Sequence, residues 1–192
     1  MKRWEDFDNF VVVDYEFRGG NGNPQIPICY LAKDVKTGVT TSHWIDNDKT
    51  PSYPTDEKTL FIAYYASAEL HCHKVLNFLN PPYILDLFAE FRCLTNGAKI
   101  PSGNSLLGAC TYYGISGSDS TYKESMRDLI LEKQYYTPIE QQKILEYCGK
   151  DVEITTKLFL EMQKDIDLPY ALIREDIWQL LQRWNTLVYQ ST

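Results

Sequence analysis

The chain has 192 residues, 44% hydrophobic and 23% charged, with a formal net charge of −7 at pH 7. That is ordinary globular composition, with enough chain for one domain and a sizeable core. The acidic balance counts against a general duplex-binding protein, which needs a basic face, but not against a protein whose acids hold cations.

In chain order, the apolar run Phe10-Val11-Val12-Val13 predicts a buried strand over 10–16 that carries Asp14 and Glu16 at its end. Gly19-Gly20-Asn21-Gly22-Asn23-Pro24 reads as a turn cluster. Strands are expected over 27–32 and 40–45, completing an antiparallel meander, and the polar, Pro-containing stretch 46–57 as a loop. A short buried strand at 60–64 precedes a helix over 69–78, which Asn80-Pro81-Pro82 stops. A strand at 83–86 then feeds a helix at 87–95, with Asp86 as its N-cap. A helix over 104–113 ends at Gly114, a small-residue linker spans 116–120, and a helix follows near 122–133. Thr137-Pro138-Ile139-Glu140 combines an N-cap, a first-turn Pro and a capping box, opening a long helix over 138–164. A last helix runs from about 170 to 188. Strands followed by mixed strands and helices fit an α/β domain with helices on both faces of a mixed sheet.

Side chains in a strand alternate, so Asp14 and Glu16 face one point in space. Paired carboxylates repel and shift each other's pKa unless a cation sits between them. A hard divalent cation with oxygen ligands, Mg or Mn, suits them; two solvated charges at a strand end is the competing reading. On the long helix, Tyr147 and Asp151 lie four apart on one face, beside the apolar stripe Ile144, Cys148, Thr155, Leu158 and Met162. Asp151 then sits by a packing face, where a lone charge is costly and a shared metal removes the cost. A surface Asp on a charged helix is the alternative.

Together these motifs resemble the DEDD family of 3′–5′ exonucleases, in its Tyr-x-x-x-Asp branch, which includes proofreading domains of family A DNA polymerases and RNase D-like nucleases. Asp14 and Glu16 match its first motif, and Tyr147 and Asp151 its third. Its second motif has Asn, three residues, then Asp; here Tyr65 stands for the Asn and Glu69 for the Asp. The resemblance extends through Tyr83-Ile84-Leu85-Asp86-Leu87 and Ser105-Leu106-Leu107-Gly108, covering about residues 8–164.

The resemblance implies an RNase H-like sheet over residues 1–166, with 167–192 a closing helix or a connector to a further domain. It implies hydrolysis of a single-stranded 3′ end, DNA ahead of RNA, releasing nucleoside 5′-monophosphates by two divalent ions, Mg or Mn. Asp14, Glu16, Glu69 and Asp151 would be the metal ligands, and Tyr147 would orient the attacking water. It also implies a partner in cis or trans, a polymerase or other nucleic-acid enzyme. A non-catalytic nucleic-acid-binding domain and an excised proofreading domain are the rival readings, the first kept open by the change at Glu69.

Other features carry less. Cys29, Cys72, Cys93, Cys110 and Cys148 form no Cys-x-x-Cys pair; an odd count with no targeting segment at the start points to reduced thiols in the cytoplasm. No apolar run has membrane-spanning length. Ligands from His71-Cys72-His73 would diverge on a helix, which disfavours zinc and leaves a surface or groove-lining role. His43 reads as structural and Lys150 as solvated.

Overall fold

The computed structural model describes residues 1–20, 23–46, 50–116 and 120–190. Five strands form one sheet in the order β3-β2-β1-β4-β5. β1 (Asn9–Gly20), β2 (Asn23–Asp34) and β3 (Thr40–Trp44) make the antiparallel meander. β4 (Thr59–Ala63) and β5 (Ile84–Asp86) add parallel to β1, so the C-terminal ends of these three strands share one edge of the sheet. The helices are α1 (Ser67–Leu76), α2 (Leu87–Leu94), α3 (Leu106–Tyr112), α4 (Ser120–Glu132), α5 (Pro138–Met162) and α6 (Leu168–Gln190).

The alternation of β1 decides which helix covers which face. Phe10 and Val12, with Leu60, Ile62 and Leu85, pack against Cys148, Val152 and Phe159 of α5 and against α2 and α3. Val11, Val13 and Tyr15, with Phe61, Ala63 and Ile84, pack against Ala66 and Cys72 at α1. The expected α/β architecture with helices on both faces is present. Ile166, Leu168, Ala171 and Leu172 join the first cluster, so the start of α6 is part of the same core.

Helix boundaries follow their caps. Thr137 Oγ1 accepts from the Glu140 N–H and Glu140 reaches back to the Thr137 N–H at 2.9 Å, the reciprocal box expected there. Ser105 caps α3, and Asp86 Oδ1 caps α2 through the Phe88 N–H at 2.8 Å. Gly114 has φ of 69° just beyond α3, the left-handed stop that glycine adopts without strain.

Three expectations are corrected. The turn cluster at 19–24 is narrower: strand continues to Gly20 and resumes at Asn23, leaving 21 and 22, which lie outside the described residues. Part of the 116–120 linker, residues 117–119, also lies outside them, and α4 already begins at Ser120. His73 and Cys72 are not surface residues but fully buried. His73 Nδ1–H donates to Leu79 O at 3.1 Å, so Nε2 accepts from the Tyr53 hydroxyl at 2.5 Å, which in turn meets the Tyr15 hydroxyl at 2.8 Å. This chain of partners satisfies the polar groups beneath α1 and makes His73 a core residue. His43 stacks on Tyr30 at 5.2 Å, the structural role expected of it. Among the described residues no helix is long and apolar enough to cross a membrane.

Candidate metal centre

β1 and α5 bring the sequence motifs together. The ladder between β1 and β2 slips after Glu16, where Phe17 pairs with Pro27 rather than with the next residue in register. Pro27 has no N–H to give the ladder, and the resulting bulge breaks the regular pairing just beyond the two carboxylates. From the other side, Gly149 lets α5 lie close against β2: a Cβ there would stand 3.2 Å from Leu31 Cδ1. Glycine inside a helix costs about 0.5–1 kcal/mol, and here it brings Cys148 and Asp151 to the strand end.

Ligand atoms of Asp14, Glu16 and Cys148 lie within 4.8 Å of one another. Asp14 titrates at about 8, raised first by burial and then by the charge of Asp151. Burial, then Asp14, pushes Glu16 well above the ordinary carboxylate range. Burial, then Asp14, does the same to Glu69. Glu69 occupies the first turn of α1, where the helix dipole favours an anion, and its carboxylate is held by the Tyr15 N–H. Its Oε2 is nevertheless buried and makes no hydrogen bond among the described residues. Asp14 thus raises Glu16 and Glu69 and is raised in turn by Asp151, so the four acids predicted from sequence are electrostatic neighbours, although Glu69 and Asp151 are not among the described ligand atoms that lie within 4.8 Å of one another.

Tyr147 donates a hydrogen bond to Asp151, one turn on, and burial keeps its phenol protonated well above its usual range. Asp151 has a second neighbour that sequence reasoning missed. Lys123 Nζ on α4 lies 2.8 Å from Asp151 Oδ1, off the line of a hydrogen bond, and 5.9 Å from the centre of the Tyr147 ring. No motif marks Lys123; only the packing of α4 against α5 brings it there.

Cys148 was also missed as a site residue, having read as part of the apolar stripe. Its Sγ approaches the Asp14 carbonyl oxygen at 3.2 Å. Burial holds this thiol protonated far above its usual range, so it acts as a donor supporting Asp14 rather than as a soft thiolate ligand. The remaining donor set is carboxylate oxygen, including a buried oxygen with no hydrogen-bond partner. That fits a hard divalent cation such as Mg or Mn and does not fit zinc.

No family model and no curated protein matches the chain. Solved structures do. The apo form of a nuclease superposes with a TM-score of 0.66 at 13% identity, covering 100% of this chain and 92% of that one. NrnC of Brucella melitensis, solved with bound Mg2+, superposes with a TM-score of 0.59 at 11% identity, again covering 100% and 92%. At this identity the likeness is one of fold, and the fold is the RNase H-like α/β arrangement.

Proposed function

We propose that the chain is a divalent-metal-dependent 3′–5′ exonuclease that hydrolyses single-stranded nucleic acid, DNA ahead of RNA, to nucleoside 5′-monophosphates. The observation that supports this best is the neighbourhood of Asp14, whose charge raises Glu16 and Glu69 and which is itself raised by Asp151, so that acids from β1, α1 and α5 surround one strand end with a protonated Tyr147 beside them. Sharing a fold with two nucleases agrees with it.

On this reading Asp14, Glu16, Glu69 and Asp151 hold divalent ions. Such ions lower the pKa of bound water and offset charge on a phosphate. Asp14 sits at the centre of the four and couples them. Tyr147 is too weak a base at neutral pH to take a proton, so its hydroxyl orients the attacking water, and its hydrogen bond to Asp151 fixes the ring for that task. Cys148 holds the Asp14 backbone in place through its carbonyl. Lys123 supplies a cation at the rim, where a phosphate oxygen of the substrate would arrive.

A second reading is a nucleic-acid-binding domain without catalysis. Lys123 favours it, because a lysine already balances Asp151. Digestion of 5′-labelled single-stranded DNA, duplex DNA and RNA with Mg or Mn separates the two. A ladder shortened from the 3′ end, with mononucleotide product, is expected; intact substrate in every metal would leave the binding domain as the function.

A further inference from the structure

A cavity opens beside Asp86, between the N-terminal ends of α1 and α2 and the face of α6. It encloses about 380 Å³ and is lined by Tyr65, Phe88, Trp178, Asp86, Arg174 and Glu175 among others. This volume is at the small end for ligand sites and is the size of one nucleobase or nucleoside.

Three features mark it as built. Glu175 is 6% exposed, and its Oε1 makes no hydrogen bond among the described residues. A buried acceptor left without a donor costs free energy that a ligand's N–H would recover. Burial, then the nearby Asp86, raises Glu175 to about 7, against a small opposing hydrogen bond from Gln179. Second, the walls are flat and aromatic: Tyr65 and Phe88 meet edge-to-face at 5.2 Å, and Arg92 lies over the Phe88 ring at 5.9 Å. Third, Tyr65 has φ of 73°, a left-handed conformation that is strained for an aromatic residue. Its N–H is pinned to Asp86 Oδ1 at 3.0 Å, which keeps a 53% exposed ring at the cavity mouth.

The charge pattern counts against a phosphate as occupant, because the carboxylates of Asp86, Glu90 and Glu175 line the cavity beside Arg92 and Arg174. Arg174 is spent on Glu90, bonding it through both Nε at 2.9 Å and Nη2 at 2.5 Å. Arg92 lies over the Phe88 ring and Asp86 Oδ1 accepts backbone N–H groups, which leaves Glu175 in the lining as a buried acceptor without a donor, beside the rings of Tyr65, Phe88 and Trp178. That combination is complementary to a planar ring with adjacent N–H donors on its edge.

We infer that this cavity binds an unpaired nucleobase, guanine in preference to uracil, stacked on its aromatic walls with its N1–H and N2–H2 edge on the Glu175 carboxylate. Guanine places two donors side by side; uracil flanks its single N–H with two carbonyl oxygens that the carboxylate repels. Stacking adds affinity for any base. The inference deepens the exonuclease reading, on which it rests, by giving the substrate strand a base-binding position next to the hydrolytic site. Asp86 links the two places, since its charge acts on both Glu69 and Glu175.

The test is calorimetric titration of the full chain with guanosine and uridine 5′-monophosphates in excess chelator, so that neither metal nor hydrolysis enters. Guanosine monophosphate should bind more tightly by about 5–150-fold, the worth of one two-pronged contact to a base edge. Glu175→Leu should erase that difference while leaving uridine monophosphate binding unchanged, and Trp178→Ala should weaken both. Equal affinities, a Glu175→Leu variant that keeps the preference, or no saturable binding in the millimolar range would overturn the inference. Unfolding transitions of each variant confirm that it is folded. Because the assay is metal-free, hydrolysis without base preference sinks the cavity alone, and base preference without hydrolysis sinks the exonuclease alone.

Discussion

Lys123 Nζ stands 2.8 Å from Asp151 Oδ1, and the same ammonium lowers the pKa of both Asp14 and Glu16. A cluster of acids that must hold cations thus carries a cation of its own. Lys123 and a divalent ion compete for Asp151, while Lys123 also makes the metal-free protein tolerable.

Lys123→Met separates those effects. Without metal the variant should lose stability, of order 1–3 kcal/mol, since Asp151 is left largely buried with the Tyr147 hydrogen bond but no cation. Mn binding should tighten because the competitor is gone, and saturating Mn should restore most of the lost stability. Thermal unfolding in chelator and in Mn, with a calorimetric Mn titration, reads all three. An unchanged melting temperature in chelator would mean that the ion pair contributes nothing.

The raised carboxyls fix the sign of the pH dependence. Asp14 at about 8, and Glu16 and Glu69 raised well above their ordinary values, bind protons more strongly when folded than when unfolded. Their contribution is fully present below the unfolded carboxyl range and is lost as pH rises through the folded values. His73, whose pKa is lowered by burial, acts oppositely below its ordinary value of 6.5. Between about pH 6.5 and 8 the metal-free protein should therefore lose stability steadily, and the stabilisation by Mg or Mn should grow over the same window. A melting temperature flat with pH in chelator would contradict the shifts.

Much of this arrangement can be read along the chain, because it is local. The caps at Asp86, Ser105 and Thr137 use a side chain and an N–H within three residues, so their spacing is visible in sequence. The alternation of β1 likewise puts Asp14 and Glu16 on the α5 side, away from Val13 and Tyr15. What cannot be read is set by tertiary contact. Lys123 reaches Asp151 only because α4 packs on α5. Cys148 looks like any stripe residue until its thiol meets the Asp14 carbonyl. Glu175 is one acid on a mixed helix whose burial depends on α6 lying across β5. Clustered glycines at 19–24 signal a wide turn, but Gly19 and Gly20 still belong to a long hairpin strand.

Tyr147→Phe removes one hydroxyl and leaves the ring in its packing. If the hydroxyl orients the attacking water, turnover should fall by about 10²–10⁴-fold with little change in KM. The fold should survive, since the ring's contact with Lys123 does not need the oxygen. An unchanged rate in Mg and Mn would take Tyr147 out of the reaction and leave the carboxylate site standing.

Glu69 departs from the resemblance by one methylene. Glu69→Gln keeps its size but removes the charge, so metal occupancy should fall and higher Mn should partly recover the rate. Glu69→Asp should keep measurable activity, because it restores the shorter acid. In chelator, Glu69→Gln should be at least as stable as the unchanged protein, since it relieves repulsion with Asp14 at a buried position. Metal titrations that superimpose for all three proteins would remove Glu69 from the site.

Tyr65 gives the sharpest test of what the cavity is for. Its φ of 73° belongs to the region that Asn tolerates and aromatic residues avoid, and Asn is the residue that the resemblance places there. Conformations of this kind cost about 1–3 kcal/mol in a residue unsuited to them. The N–H bond to Asp86 that holds the conformation comes from the backbone, so Tyr65→Asn preserves it. The ring is about half exposed, and its loss forfeits mainly the contact with Phe88. Tyr65→Asn should therefore stabilise the metal-free protein by roughly 1 kcal/mol, or about 2–4 °C for a chain of this size. If the tyrosine is kept at that cost because it stacks on a base, the same change should weaken binding of guanosine and uridine monophosphates alike, whereas Tyr65→Phe should leave both as they are. A Tyr65→Asn protein that is less stable than the original would show that the ring holds the fold rather than the ligand.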